Sequence, residues 1–273
     1  MRELDDLSAV TARLSGAGFV AAAEEAAELI AYARGSAACL TSMLERRLTG
    51  EPLAWITGSV VFCGLEIHVD PGVYVPRWQS EPLARRAVER LPETGIAIDV
   101  CTGAGAIAKV LSVNRPSARV LACDLDGRAV ACAAANGVEV CQGDLLAPLP
   151  PGLGGLVDVV VGVVPYVPAL ALGLLAHDTF VFESTLAYDG GLDGTDVLLR
   201  VAEESRYLLR EGGALLLELG GDQAAVLGPF LTTLGYFELN TLMDEDGDLR
   251  AIEATLEDAS FQPPNAARAS RNP

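Results

Sequence analysis

The spacing of apolar positions changes character twice along the chain. Over residues 1–50, Leu4, Leu7, Val10 and Leu14 fall on one helical face, an Ala- and Glu-rich run follows at 22–34, and apolar positions recur at helical spacing from 40 to 48. Gly16, Gly18, Gly35 and Gly50 punctuate these runs, so the pattern predicts a small three-helix unit. Residues 55–75 alternate instead, as strands at 55–57, 60–62 and 65–69, with turns at Gly58 and Gly64 and an end at Asp70-Pro71-Gly72. From residue 81 the pattern alternates between the two periods. Helices are predicted at 82–91, 105–112, 127–135, 193–209 and 222–234, and strands at 96–100, 119–123, 138–141, 157–161 and 214–219. Two closing strands, at 237–243 and 250–256, flank Asp244-Glu245-Asp246-Gly247-Asp248, a hairpin-turn sequence.

Alternating strands and helices predict an α/β fold with a mostly parallel, Rossmann-like sheet of seven strands. The expected organisation is a helical N-terminal substrate-recognition domain (1–52), a β-hairpin linker (53–80), an α/β catalytic domain (81–256) and a disordered polar tail (257–273).

Composition narrows the function classes. Apolar residues make up 51% of the 273, enough for a sizeable core. With 19 basic against 37 acidic residues the net charge is −18, which disfavours a nucleic-acid partner, because that affinity comes largely from Lys and Arg neutralising phosphates. The longest apolar stretch, 156–176, is broken by Asp158 and by glycines and prolines, so no membrane span is expected. The N-terminus lacks an apolar signal segment. The six cysteines show no C-x-x-C spacing and only two histidines exist, which predicts reduced thiols, a cytoplasmic setting and no metal site. Nothing in the pattern fixes an oligomeric state.

The candidate chemistry begins at Asp99-Val100-Cys101-Thr102-Gly103-Ala104-Gly105, a strand end, a glycine turn and a helix start. Gly103 and Gly105 let backbone approach a ligand closely, at the carboxyl end of the first strand of the sheet, where doubly wound sheets bind ligands. Gly103-x-Gly105-x-x-Ala108 with Asp124 also fits a dinucleotide fingerprint. Two features favour S-adenosylmethionine. Asp99 stands where a carboxylate can hold the cofactor's amino group, directly or through water, and an antiparallel hairpin closes the sheet. Asp124, ending the second strand, can accept from both ribose hydroxyls, or else cap the next helix; Asp144 can accept from the adenine amino group, with Leu145 packing on the ring. Cys101, Thr102, Leu125 and Val163 complete the expected cofactor contacts.

Several segments resemble the HemK-type protein-(glutamine-N5) methyltransferases. They are Glu51-Pro52-Leu53, Phe62-x-Gly64, Val73-x-Val75-Pro76-Arg77 with Glu81, the glycine loop, Leu186-x-x-Asp189-Gly190-Gly191-x-Asp193-Gly194, and Gly212-Gly213-x-Leu215-x-Leu217-Glu218-x-Gly220 with Gln223. The chain is similar to a release-factor-methyltransferase-related branch from actinobacteria, which also carries a Cys near the glycine loop. The resemblance implies a class I methyltransferase domain behind a small helical domain, and a release-factor glutamine as acceptor.

The chain departs from that family at the acceptor motif. The family's Asn-Pro-Pro-Tyr is here Val163-Val164-Pro165-Tyr166. In the family, the resemblance implies, the Asn carbonyl and a backbone carbonyl accept the amide's N–H bonds and aim its nitrogen; valine cannot accept. An unpaired buried N–H costs about 1–3 kcal/mol, or one to two decades of rate. Three readings follow: glutamine methylation by other means, redirection to a small-molecule amine, hydroxyl or carboxylate of secondary metabolism, or cofactor binding without transfer. Glu183-Ser184, in place of the family's Glu-Pro, is a second departure. Val163, Pro165 and Tyr166 are the expected acceptor-side residues, with Tyr166 able to stack on a planar substrate. His177-Asp178 could form a general-base pair but reads better as a solvated loop; His68, Trp55 and Trp78 read as structural.

Overall fold

The computed structural model describes residues 7–174, 181–244 and 246–257. His177, Asp178, Leu4 and the expected tail beyond 257 lie outside the described residues. Three helices come first: α1 (Leu7–Gly16), α2 (Ala22–Ala33) and α3 (Ala37–Leu48). They bury Val10, Leu14, Ala26, Leu29, Leu40 and Leu44 in a core of their own, joined by Ile56. The Ser36 hydroxyl caps α3 by accepting the Cys39 N–H. Arg46 and Arg47 pair with Glu51 and Glu25, and Arg47 also donates to the Glu51 carbonyl, which ties α3 to α2 and to the exit of the unit.

The strand expected at 55–57 is a short helix, α4 (Leu53–Thr57). Its first turn follows Pro52 and its end is Gly58 in the left-handed conformation, a start and a stop that outweigh the strand preference of three residues. The helix also turns the Trp55 indole N–H onto the Val73 carbonyl, 2.9 Å away. The hairpin follows as β1 (Ser59–Phe62) and β2 (Leu65–His68). A 3-10 turn at Trp78–Ser80 leads into α5 (Glu81–Arg90).

The main sheet contains β3 (Ile96–Val100), β4 (Arg119–Asp124), β5 (Glu139–Gln142), β6 (Val157–Gly162), β7 (Leu209–Glu218), β8 (Tyr236–Met243) and β9 (Leu249–Leu256). Their order is β5-β4-β3-β6-β7-β9-β8, parallel except for β9, which runs antiparallel to both neighbours. The order reverses between β3 and β6, so the switch point opens at their carboxyl ends. Helices α6 (Ala106–Asn114), α7 (Gly127–Ala135), α8 (Asp196–Ser205) and α9 (Gln223–Thr233) connect the strands. One core packs α5, α6, α7 and the hairpin on one face; the other packs α8 and α9 on the opposite face. Burial of both faces explains why β6 reads as an unbroken apolar run apart from Asp158.

The largest shifts from the expected boundaries fall between residues 193 and 214. The helix expected at 193 begins at Asp196, because the Asp193 carboxylate accepts the Thr195 N–H and hydroxyl, and Gly194 takes a positive φ. The strand expected at 214 starts at Leu209, where an irregular register around Val157 and Val159 lets β7 extend back through Gly212-Gly213.

Candidate active site

The site forms where β3, β4 and β6 end. Gly162 lets β6 approach β3: a Cβ there would stand 2.6 Å from the Val100 side chain and 2.9 Å from its carbonyl oxygen. Gly105, at φ +80, starts α6 against α7, where a Cβ would meet Val138 at 2.9 Å and Ala133 at 3.0 Å. Side chains are thus excluded from both positions by packing. Gly103 is different: a Cβ there would meet only Tyr74, at 3.9 Å, so its open face looks onto a cleft.

Asp99 braces this loop from below. Its Oδ2 accepts the Thr102 hydroxyl at 2.6 Å and the Ala108 N–H at 3.0 Å. Burial pushes its carboxyl up to about 7, against those two bonds, which favour the anion. Asp124 braces the loop from the side. Its Oδ2 accepts the Gly103 N–H and its Oδ1 the Asp126 N–H, both at 2.9 Å, and burial raises its pKa. Helix capping falls to Asp126, which accepts the Arg128 N–H. Cys101 takes a left-handed conformation, φ +56, and burial pushes its thiol well up.

A cleft of about 230 Å³ lies over these ends. Cys101, Gly103, Asp124, Leu125, Asp144, Leu145, Val163 and Pro165 all line it, so most of the residues singled out in the sequence meet in one place. Asp99 and Thr102 line a smaller adjoining cavity instead, which shares Tyr74, Cys101 and Val163 with the cleft. Tyr166 lines neither. Its hydroxyl donates to Glu218 at 3.0 Å, and its carbonyl accepts Gln223 at 2.6 Å. It borders a separate hollow beside Gly220.

The sequence pattern missed what closes the cleft. The buried Glu183 carboxylate accepts the Val75 N–H at 2.9 Å, Arg77 at 2.7 Å and the Tyr188 hydroxyl. Tyr74 packs edge-on against Tyr188, with ring centroids 5.6 Å apart. Arg200 pairs with Asp144 at 2.8 Å across the rim. Apart from Glu183 and Tyr188, these partners lie more than fifty residues apart, beyond any local periodicity. The quoted segments around Arg77 and Glu183 were the available signal. Ser80 is buried, lines the smaller cavity with Val163, and stands close enough to the Glu218 carboxylate for its hydroxyl to favour the Glu218 anion.

The donor set fits a nucleoside carrying an amino-acid tail. Paired acid oxygens stand at Asp124, apolar walls at Leu125 and Leu145, and a bare backbone at Gly103. A sheet of this order, closed by an antiparallel pair and carrying this cleft at its switch point, defines a class I methyltransferase. Among solved structures, a methyltransferase from Pyrococcus furiosus shares the fold, with a TM-score of 0.53 at 19% identity over 80% of this chain and 99% of that one. No family model matches. A release factor glutamine methyltransferase from Geobacter sulfurreducens is 34% identical over 223 residues, 79% of this chain and 77% of its own. One from Cereibacter sphaeroides is 31% identical over 281 aligned positions, 94% of this chain and 99% of its own. A 4-amino-L-phenylalanine/4-methylamino-L-phenylalanine methyltransferase from Streptomyces pristinaespiralis is 34% identical over 67% of this chain and 65% of its own. The chain belongs to the HemK-type family of release factor glutamine methyltransferases, and its cofactor is S-adenosylmethionine.

Proposed function

We propose that the chain methylates a nitrogen nucleophile, and that Val163 selects an amine of a small molecule over the amide of a protein glutamine. Bound S-adenosylmethionine supplies a sulfonium methyl group. Asp124 holds the ribose hydroxyls while fixing the glycine loop, Asp144 and Leu145 take the adenine, and Asp99, Cys101 and Thr102 shape the end nearest the amino-acid tail. Val163 and Pro165 form an apolar floor that excludes water from the acceptor.

Val163 carries this reading. An amide nitrogen is a poor nucleophile and needs both N–H bonds accepted to be aimed. The valine offers no acceptor, whereas an amine's own lone pair is available for attack. Ser80 Oγ, buried beside Val163, can accept one N–H from such a group. The Streptomyces relative acts on an aromatic amine. Methyl transfer from labelled cofactor to aromatic and aliphatic amines, read beside transfer to a release factor, tests this. Transfer to the release factor alone refutes it.

The glutamine reading has its own support. The helical unit, which we read as the part that meets the acceptor, is kept in an alignment spanning 99% of the Cereibacter enzyme. No transfer to either acceptor class would leave a cofactor-binding interaction protein. The free cysteines agree with a cytoplasmic setting. Among the described residues no helix is long and apolar enough to cross a membrane.

A further inference from the structure

The fold brings Cys132 against His68 and Asp70, with 64 residues between Cys132 and His68, outside the lining of the cleft. His68 ends β2, Asp70 follows it, and Cys132 lies on α7. One ligand atom from each falls within 4.8 Å of the others. His68 Nδ1 is 2.9 Å from the Gly58 carbonyl, which can only accept, so Nδ1 carries a hydrogen. Nε2 then faces Asp70 Oδ1 at 2.9 Å. Two lone pairs cannot oppose each other at that distance; a proton on Nε2, or a metal ion alongside, must separate them. Cys132 Sγ lies 3.4 Å from the His68 carbonyl, on the buried side of the same group.

We propose that His68, Asp70 and Cys132 form a binding site for a zinc-like divalent ion, with solvent completing the coordination. The donor set of imidazole, carboxylate and thiolate suits zinc, at about 2.0–2.3 Å from each atom. Coordination draws together three atoms that already lie within 4.8 Å of one another. The His68 and Asp70 side chains are 45% and 47% exposed and are free to make that move. The neighbouring groups leave the ligand atoms available: Asn136 binds the His68 backbone on both sides, and Lys109 donates to Asn136 and to the Glu66 carbonyl. Binding releases the Cys132 thiol proton and any proton on Nε2 to solvent, with no change of oxidation state. The ion would pin the hairpin to α7, fixing the helical unit relative to the methyltransferase sheet.

The test is metal titration of the whole protein after chelator treatment, with Zn2+ against a chromophoric competitor and with Co2+ read by absorption. The expected result is one ion per chain, a thiolate-to-cobalt charge-transfer band, and at least about tenfold weaker binding in His68→Gln, Asp70→Asn and Cys132→Ser. Circular dichroism checks that each variant folds; the His68 and Asp70 changes are at half-exposed positions. No stoichiometric binding, binding unchanged by His68→Gln and Asp70→Asn, or cobalt binding without the thiolate band overturns the proposal.

Discussion

Single residues set the chemistry of this site. Val163 supplies neither acceptor nor charge where the family resemblance implies an asparagine, so on the proposed function Val163→Asn supplies an acceptor for an amide N–H. It should raise transfer to a glutamine amide by at least about tenfold, since one such bond is worth roughly 1–3 kcal/mol. Initial rates with a release-factor substrate measure this directly. Asp99 makes a different prediction. Its carboxyl titrates near 7 when folded, above its ordinary value, so the folded protein holds that proton more tightly. That contribution to stability is complete below about pH 4 and is lost as pH rises through about 7. Asp99→Asn can keep both hydrogen bonds on its carbonyl oxygen and removes the titration. Thermal unfolding across this range should therefore show a flatter pH dependence in the variant; an unchanged slope would falsify the assignment to Asp99.

At the scale of elements, the strength of the local pattern decided what could be read. Helices fill four of the six links between the seven strands of the sheet, and all seven strands are present. The glycine loop and the acids at 99, 124 and 144 were legible because they stand at strand ends, where topology fixes their place. Trp55–Thr57 misled because so short a run fits either period, and the start after Pro52 and the stop at Gly58 decided the outcome. The bonds of Tyr166 run to Glu218 and Gln223, partners more than fifty residues away that no local pattern relates to it. The clasp of Glu183, Arg77 and Tyr188 was invisible for the same reason. Removing its centre by Glu183→Ala strands the buried Val75 N–H and leaves Arg77 unpaired. Arg77 is 37% exposed, which discounts the ion pair, so the expected loss is about 2 kcal/mol in chemical denaturation. Proteolysis in the segment around 181–190 should quicken with it. Gly162→Ala should cost at least as much, and should weaken cofactor binding, because a methyl group there forces β6 away from β3.

For the whole molecule, charge is the dominant feature. With a net charge of −18, acid–acid repulsion exceeds what the ion pairs relieve. Raising salt from near zero to about 0.15 M shortens the screening length to about 8 Å, and the melting temperature should rise across that range. The same charge argues against a phosphate backbone as acceptor. On the proposed function, the acceptor is recognised by shape and hydrogen bonding at the floor formed by Val163 and Pro165.

The central claim is that Val163 turns a glutamine methyltransferase scaffold toward amines. Its most direct test is a paired assay with labelled S-adenosylmethionine, comparing the protein and Val163→Asn on a release factor and on a panel of amines. The account predicts that the unaltered chain methylates an amine faster than the release factor, and that the asparagine shifts preference toward the glutamine. Efficient release-factor methylation by the unaltered chain, with no gain from the asparagine, contradicts it.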